Sequence, residues 1–190
     1  MPTKSVPTPY PTFLTKDLLL DPENPRIVEF GLGEKPTQFD IMKTLWERMA
    51  VNEVATSIAW NGYFLHEPLF IEQDGKGQLI VIEGNRRLTA VKLLLDADLR
   101  KRVGATDLPD IDKIDKNRRE ELTELPGKLT TRVELWRYLG FKHVNGPATW
   151  VPMRRHNMSQ RYTTNMVYRY HRLLNRSATT ITQWSASITG

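Results

Sequence analysis

The chain has 190 residues, 39% hydrophobic and 26% charged, the balance of a globular domain with room for one core and an appendage. It contains no cysteine, which excludes disulfide frameworks, thiolate zinc sites, iron–sulfur clusters and cysteine nucleophiles. No apolar stretch follows Met1, and runs such as Leu93–Leu95 are far too short to span a bilayer, so a cytoplasmic protein with no membrane partner is expected.

In chain order, residues 1–17 open with four prolines before Phe13 and read as a flexible lead-in. Phe13–Leu20 leads to Asp21-Pro22-Glu23-Asn24-Pro25-Arg26, a turn that cannot be helical through both prolines. From Thr37 to Gly62, Met42, Leu45, Trp46, Met49, Val54 and Ile58 recur at helical spacing, predicting one helix or two joined ones with Gly62 at the C-cap. Pro68–Gln73 is a predicted strand, Asp74-Gly75-Lys76-Gly77 a hairpin turn and Leu79–Glu83 the return strand. A helix with Leu88, Val91, Leu94, Leu95 and Leu99 on its apolar face follows. Asp107–Pro126 reads as a charged surface insertion with an exposed helix near Lys116–Leu125, and Leu129–Trp136 as another strand.

Chemistry concentrates at the strand-to-helix junction Glu83-Gly84-Asn85-Arg86-Arg87-Leu88. Gly84 lets the backbone approach a ligand closely, and Asn85 is the expected N-cap. Arg86 and Arg87 then fall in the first helical turn, where the macrodipole already places positive charge. An anion such as phosphate resolves that conflict; the other reading splays both arginines into solvent. The four histidines (His66, His143, His156, His171) show no metal-ligand spacing. Asp21 with Glu23, or Glu120 with Glu121, is expected to be solvated surface rather than a catalytic pair.

Asn24-Pro25-Arg26, Ser57-Ile58, Gly62, Glu67-Pro68-Leu69 and the strand–Gly-Asn-Arg-Arg–helix unit, in this order, resemble the ParB N-terminal domain of the ParB/sulfiredoxin superfamily. The resemblance implies an α+β fold over residues 18–150, a small mixed sheet flanked by helices. It implies that Gly84, Asn85, Arg86 and Arg87 cradle the phosphates of CTP or ATP, alone or with Mg2+. It brings in Arg26, sets Gly62 to Pro68 beside the base, and puts His143 and Asn145 where the family has a later phosphate-closing segment. Asn85 stands where the family has Glu, and His143-Val144-Asn145-Gly146 where it has E-N-x-x-R. Sulfiredoxin chemistry is excluded with the cysteine. The implied function is a DNA-associated protein with the nucleotide as switch ligand. A nuclease or nucleotide-hydrolysing enzyme, with no catalytic residue identified, is a second reading, and a homodimer stays open.

The charge is uneven. Glu134 is the last acidic residue, and Arg137, Lys142, Arg154, Arg155, Arg161, Arg169, Arg172 and Arg176 follow it, leaving 19 basic and 22 acidic residues up to Glu134. A basic arm binding DNA weakly and non-specifically is one explanation for 151–190. A changed reading frame after Trp150 is the other. Restoring one base there, with synonymous codons chosen among those permitted, can give an amphipathic helix and then S-L-P-Q-I-A-Q-Q-I-G, which resembles the opening of a helix-turn-helix. On that reading, residues 151–190 are its frameshifted remnant.

Overall fold

The computed structural model describes residues 9–33, 35–115 and 117–145, without the side chains of 140–145. The chain divides into two compact units, Met1–Leu135 and Trp136–Gly190, and the first carries the fold described below.

Three consecutive leucines make the strand β2 (Leu18–Leu20), with Leu18 and Leu20 fully buried. It pairs in parallel with β4 (Leu79–Glu83), whose antiparallel partner is β3 (Leu69–Gln73). The hairpin turn between them is built on Asp74, whose carboxylate accepts the N–H groups of Lys76 and Gln78, each at 2.8 Å. β5 (Glu124–Leu129) runs parallel to β3 and antiparallel to β1 (Thr12–Leu14). The sheet order is therefore β1-β5-β3-β4-β2.

That order dictates a curl. β1 and β2 stand at opposite ends of the sheet but are joined by Thr15–Asp17 alone, a single 3-10 turn. Five strands laid flat are roughly 19 Å across, whereas three residues of 3-10 helix rise about 6 Å. The sheet bends until its ends approach. The joining turn is held from both sides: Thr15 Oγ1 donates to Leu122 C=O (2.6 Å), and Lys92 Nζ donates to Thr15 C=O (3.0 Å). Burial pushes the Lys92 ammonium down from its ordinary value, partly offset by Asp17. The outer edge of β2 is covered by the Gln38 amide, which accepts from Leu20 N–H (2.7 Å) and donates to Leu20 C=O (2.9 Å), as a neighbouring strand would.

The long predicted helix is two, α2 (Gln38–Arg48) and α3 (Val51–Asn61), after the single turn α1 (Pro25–Val28). They part at Ala50, the N-cap of α3, in a left-handed conformation at φ 47°, where a side chain is strained. α4 (Asn85–Leu95) and α5 (Ala97–Val103) follow β4, and α6 (Ile111–Ile114) and α7 (Arg118–Thr123) lead into β5. α4 buries Leu88, Val91, Leu93 and Leu94 completely against the sheet and helices. The outcome is a mixed α+β unit around a curled five-stranded sheet.

Several sequence expectations change, among them the single helix expected to carry Leu88 to Leu99, which breaks at Asp96 into α4 and α5. Residues 12–17, assigned to the lead-in, form β1 and the joining turn. The expected insertion Asp107–Pro126 is part of the core, because Ile111, Leu122 and Leu125 are buried and β5 lies between β1 and β3. Pro126 fits there because Gly127 N–H donates to Pro11 C=O (2.9 Å) and the pairing with β3 begins only at Leu69↔Gly127, one position later. The expected strand Leu129–Trp136 keeps only Leu129 as strand, and its remainder opens α8 (Arg132–Asn145). The reason is a capping box: Thr131 Oγ1 accepts from Glu134 N–H, and Glu134 accepts from Thr131 N–H, both at 3.3 Å. The changes at Asn85 and Asp21 belong to the site below. Residues 151–190 lie outside the described residues.

Helix capping makes an acid prediction. Hydrogen bonds from Thr37 hold Asp40 below its ordinary carboxylate value, and those from Thr131 and Thr130 do the same for Glu134. A carboxylate depressed in the folded state adds stability above its unfolded value, and that stability is lost as pH falls through the folded value. Melting temperature is therefore expected to drop as pH is taken below 4. The double variant Asp40→Asn, Glu134→Gln is expected to start lower at neutral pH and show a shallower acid limb. An unchanged slope in melting curves taken from pH 6 to 2.5 would contradict this.

Candidate functional site

The strand-to-helix junction sits at the end of β4, beside the start of β3. Gly84 is the N-cap of α4, at φ 104° with no side-chain cap bond. A Cβ there would run into the Leu69 side chain and lie 3.2 Å from Arg87 Nη2, so conformation and space both require glycine.

Asn85 is not the cap; it is the first helical residue and is buried. Its amide braces the end of β2 against β4: Oδ1 accepts from Asp21 N–H (3.0 Å), and Nδ2 donates to Val81 C=O (2.8 Å). The side chain thus holds the junction, which corrects the expected N-cap role of Asn85, while its main chain lies in the first turn of α4.

The two arginines are not splayed into solvent. Arg86 reaches to the start of α3 and Arg87 to the segment that follows it. Arg86 Nη2 donates to the carbonyl of the strained Ala50 at 3.0 Å, and its Nε is buried without a hydrogen-bond partner among the described residues. Arg87 Nη1 donates to Tyr63 Oη (3.3 Å) and to the Glu67 main-chain carbonyl, and lies 3.8 Å from the Glu67 carboxylate. Burial pushes the Tyr63 phenol up from its ordinary value, with the charge and hydrogen bond of Arg87 working against it; it stays a neutral hydroxyl near pH 7, donating to Glu67 C=O at 3.4 Å. α4 has no acidic residue in its first turn, and Arg86 makes no salt bridge among the described residues. Cationic charge therefore gathers at a helix terminus that is already positive.

The remaining candidates disperse. Gly62 is the C-cap of α3 at φ 83°, and a Cβ there would collide with the Arg118 guanidinium, so that side of Gly62 is filled. Arg118 is itself tied to Glu121 (2.6 Å) and Asp115 (3.7 Å). Pro68 is buried just before β3, and Arg26 is an exposed residue of α1. His143 and Asn145 lie on α8 rather than in the expected turn, with side chains outside the described residues. Among the described residues no group of acidic or histidine side chains could hold a metal ion, and no helix is long and apolar enough to cross a membrane.

A second cluster went unread in the sequence. Asp21, expected on the surface, is fully buried. Arg132, at the start of α8, grips both its oxygens, Nη1 to Oδ2 at 2.7 Å and Nη2 to Oδ1 at 3.0 Å. Arg132 N–H donates to Glu72 Oε1 (2.7 Å), and its Nε lies 3.5 Å from Glu72 and 3.6 Å from Glu23. Burial works against the Arg132 charge, but the hydrogen bond to Asp21 and the three carboxylates outweigh it and hold the guanidinium above its ordinary value. This pair joins β2, β3 and α8. No family model matches the chain, and no curated protein matches it.

Proposed function

We propose that the chain is a nucleotide-binding, DNA-associated protein of the ParB/sulfiredoxin-like kind, in which CTP or ATP acts as a switch ligand. The observation that carries this reading is the first turn of α4: no side-chain cap, no acid, two arginines, and a buried Arg86 Nε without an acceptor. Free N–H groups at a helix N-terminus, with two arginines in the same turn, are complementary to a phosphate chain. The segment Gly62–Pro68 reaches the same turn through Arg87 and carries Phe64, 49% exposed, as a flank for the base. The curled mixed sheet and its strand–glycine–helix unit support the resemblance at the level of architecture.

A ligand that binds only the folded state raises its melting temperature, by about 2.7 kcal/mol of added stability at one hundred times the dissociation constant. CTP or ATP is expected to produce this shift, tested with and without Mg2+. Because Arg86 also holds the start of α3 and Arg87 the segment after it, the informative variant is Arg86→Gln with Arg87→Gln, which removes the charge and keeps a donor on each side chain. Its unliganded transition is expected to stay cooperative while the nucleotide shift disappears. An undiminished shift in a folded double variant would sink the assignment.

A further inference from the structure

Arg87 divides its donors. Nη1 is committed to the segment after α3, through Tyr63 Oη and the Glu67 carbonyl. Nη2 and Nε make no hydrogen bond among the described residues, and Nη2 lies over Gly84, the N-cap of α4. The fork of a guanidinium is rigid and planar, so one arginine can hold two acceptors in fixed relation, which a lysine ammonium on a flexible stem does not do. Tyr63 packs against the core, and the rest of the segment that Nη1 holds has few other ties. Among its described residues, its main-chain link is Glu67 N–H to Phe64 C=O at 3.0 Å, and His66 and Glu67 are exposed.

We infer that Arg87 is a positioning residue that makes segment 63–67 a strap over the anion site: a phosphate taken by Nη2 at the N-terminus of α4 fixes the guanidinium, and Nη1 then fixes the strap. This rests on the phosphate reading above and adds to it a consequence for regulation. Occupancy at α4 is transmitted to the exposed segment carrying Phe64 without any rearrangement of the sheet, because the ligand and the strap share one side chain. The Glu67 carboxylate, 67% exposed and 3.8 Å away, is too open to water to compete strongly for that side chain.

The test is amide hydrogen exchange on the full chain with inorganic tripolyphosphate, which carries the phosphates and no base or sugar that could cover the strap directly. Exchange is expected to slow at the first-turn amides of α4, and about three- to tenfold at 63–67, as local opening becomes linked to ligand release. Protection at α4 with unchanged or faster exchange at 63–67 overturns the strap and leaves the phosphate reading standing. No protection at α4 overturns the phosphate reading and the strap with it. In Tyr63→Phe, which removes one acceptor of Nη1 and leaves Arg87 in place, protection at α4 is expected to persist while that at 63–67 weakens. In Arg87→Lys, which keeps the charge and loses the fork, protection at 63–67 is expected to be lost even at a tripolyphosphate concentration that restores protection at α4. Wild-type strap protection in Arg87→Lys at that concentration overturns the role of the fork.

Discussion

Arg132→Met is expected to destabilise the protein by about 3 kcal/mol, the low end of what removing one partner from a buried ion pair costs. The reason lies with Asp21 rather than with the arginine. Its side chain is 1% exposed, against 23% for Arg132, so the variant leaves a carboxylate shut away from water. Its one other bond is the N–H of Glu23, at 2.9 Å. For a unit of this size the expected fall in melting temperature is roughly 10 °C. Asp21→Asn is expected to cost less, because Arg132 keeps Glu72 and Glu23 beside it and partial access to solvent. Combining the two changes should give a loss smaller than the sum, the mark of a direct pair. Urea unfolding of the four proteins decides it. A loss under 1 kcal/mol in Arg132→Met would show that the pair does not hold β2 to α8.

This pair also shows where the sequence was legible and where it was not. Local patterns carried α2, α3, β3, the Asp74 turn, β4 and α4, because periodicity and turn chemistry are properties of neighbouring residues. Asp21 and Arg132 are 111 positions apart, and no spacing rule relates them. A dismissal of Asp21 as solvated surface follows naturally from reading it beside Glu23 alone. The start of α8 was legible and was missed. Thr131-Arg132-Val133-Glu134 is a capping-box pattern, obscured by the β-branched Thr130, Thr131 and Val133. β5 was hidden differently, since Glu124-Leu125-Pro126-Gly127 has poor strand propensity and is held by tertiary pairing on both sides.

The site divides in the same way. That Arg86 and Arg87 occupy the first turn of α4 follows from the strand–glycine–helix order. That Arg86 braces the start of α3 and Arg87 the segment after it does not, since Ala50 and Glu67 are distant along the chain. Asn85 illustrates the limit of a motif. Its residue type suits an N-cap, but Gly84 takes that position, and the one-residue shift turns the Asn85 amide inward to Asp21 and Val81.

The largest expected effect concerns DNA. On the reading of residues 151–190 as the frameshifted remnant of a helix-turn-helix, base recognition belongs to that element, and its place after Trp150 is taken by an acid-free stretch rich in arginine. Phosphate contacts alone give affinity without sequence preference, and they release counterions, so binding falls steeply with salt. The chain is therefore expected to bind any duplex weakly, with a dissociation constant of about 10 to 100 μM near physiological salt. Restoring one base after codon 150 replaces this arm with a segment able to place a recognition helix in the major groove, where each base pair shows a distinct pattern of donors and acceptors. Selection from a random duplex pool is expected to return a preferred site for the restored chain, bound roughly a thousandfold or more tightly than bulk DNA, and none for the chain as written. The comparison needs two salt concentrations, because the non-specific component falls with salt in both chains while the gap between site and bulk should persist in one. A clear site preference in the unrestored chain would place base reading in residues 1–150 or in the arginine-rich arm itself, and the frameshift would then have no consequence for recognition.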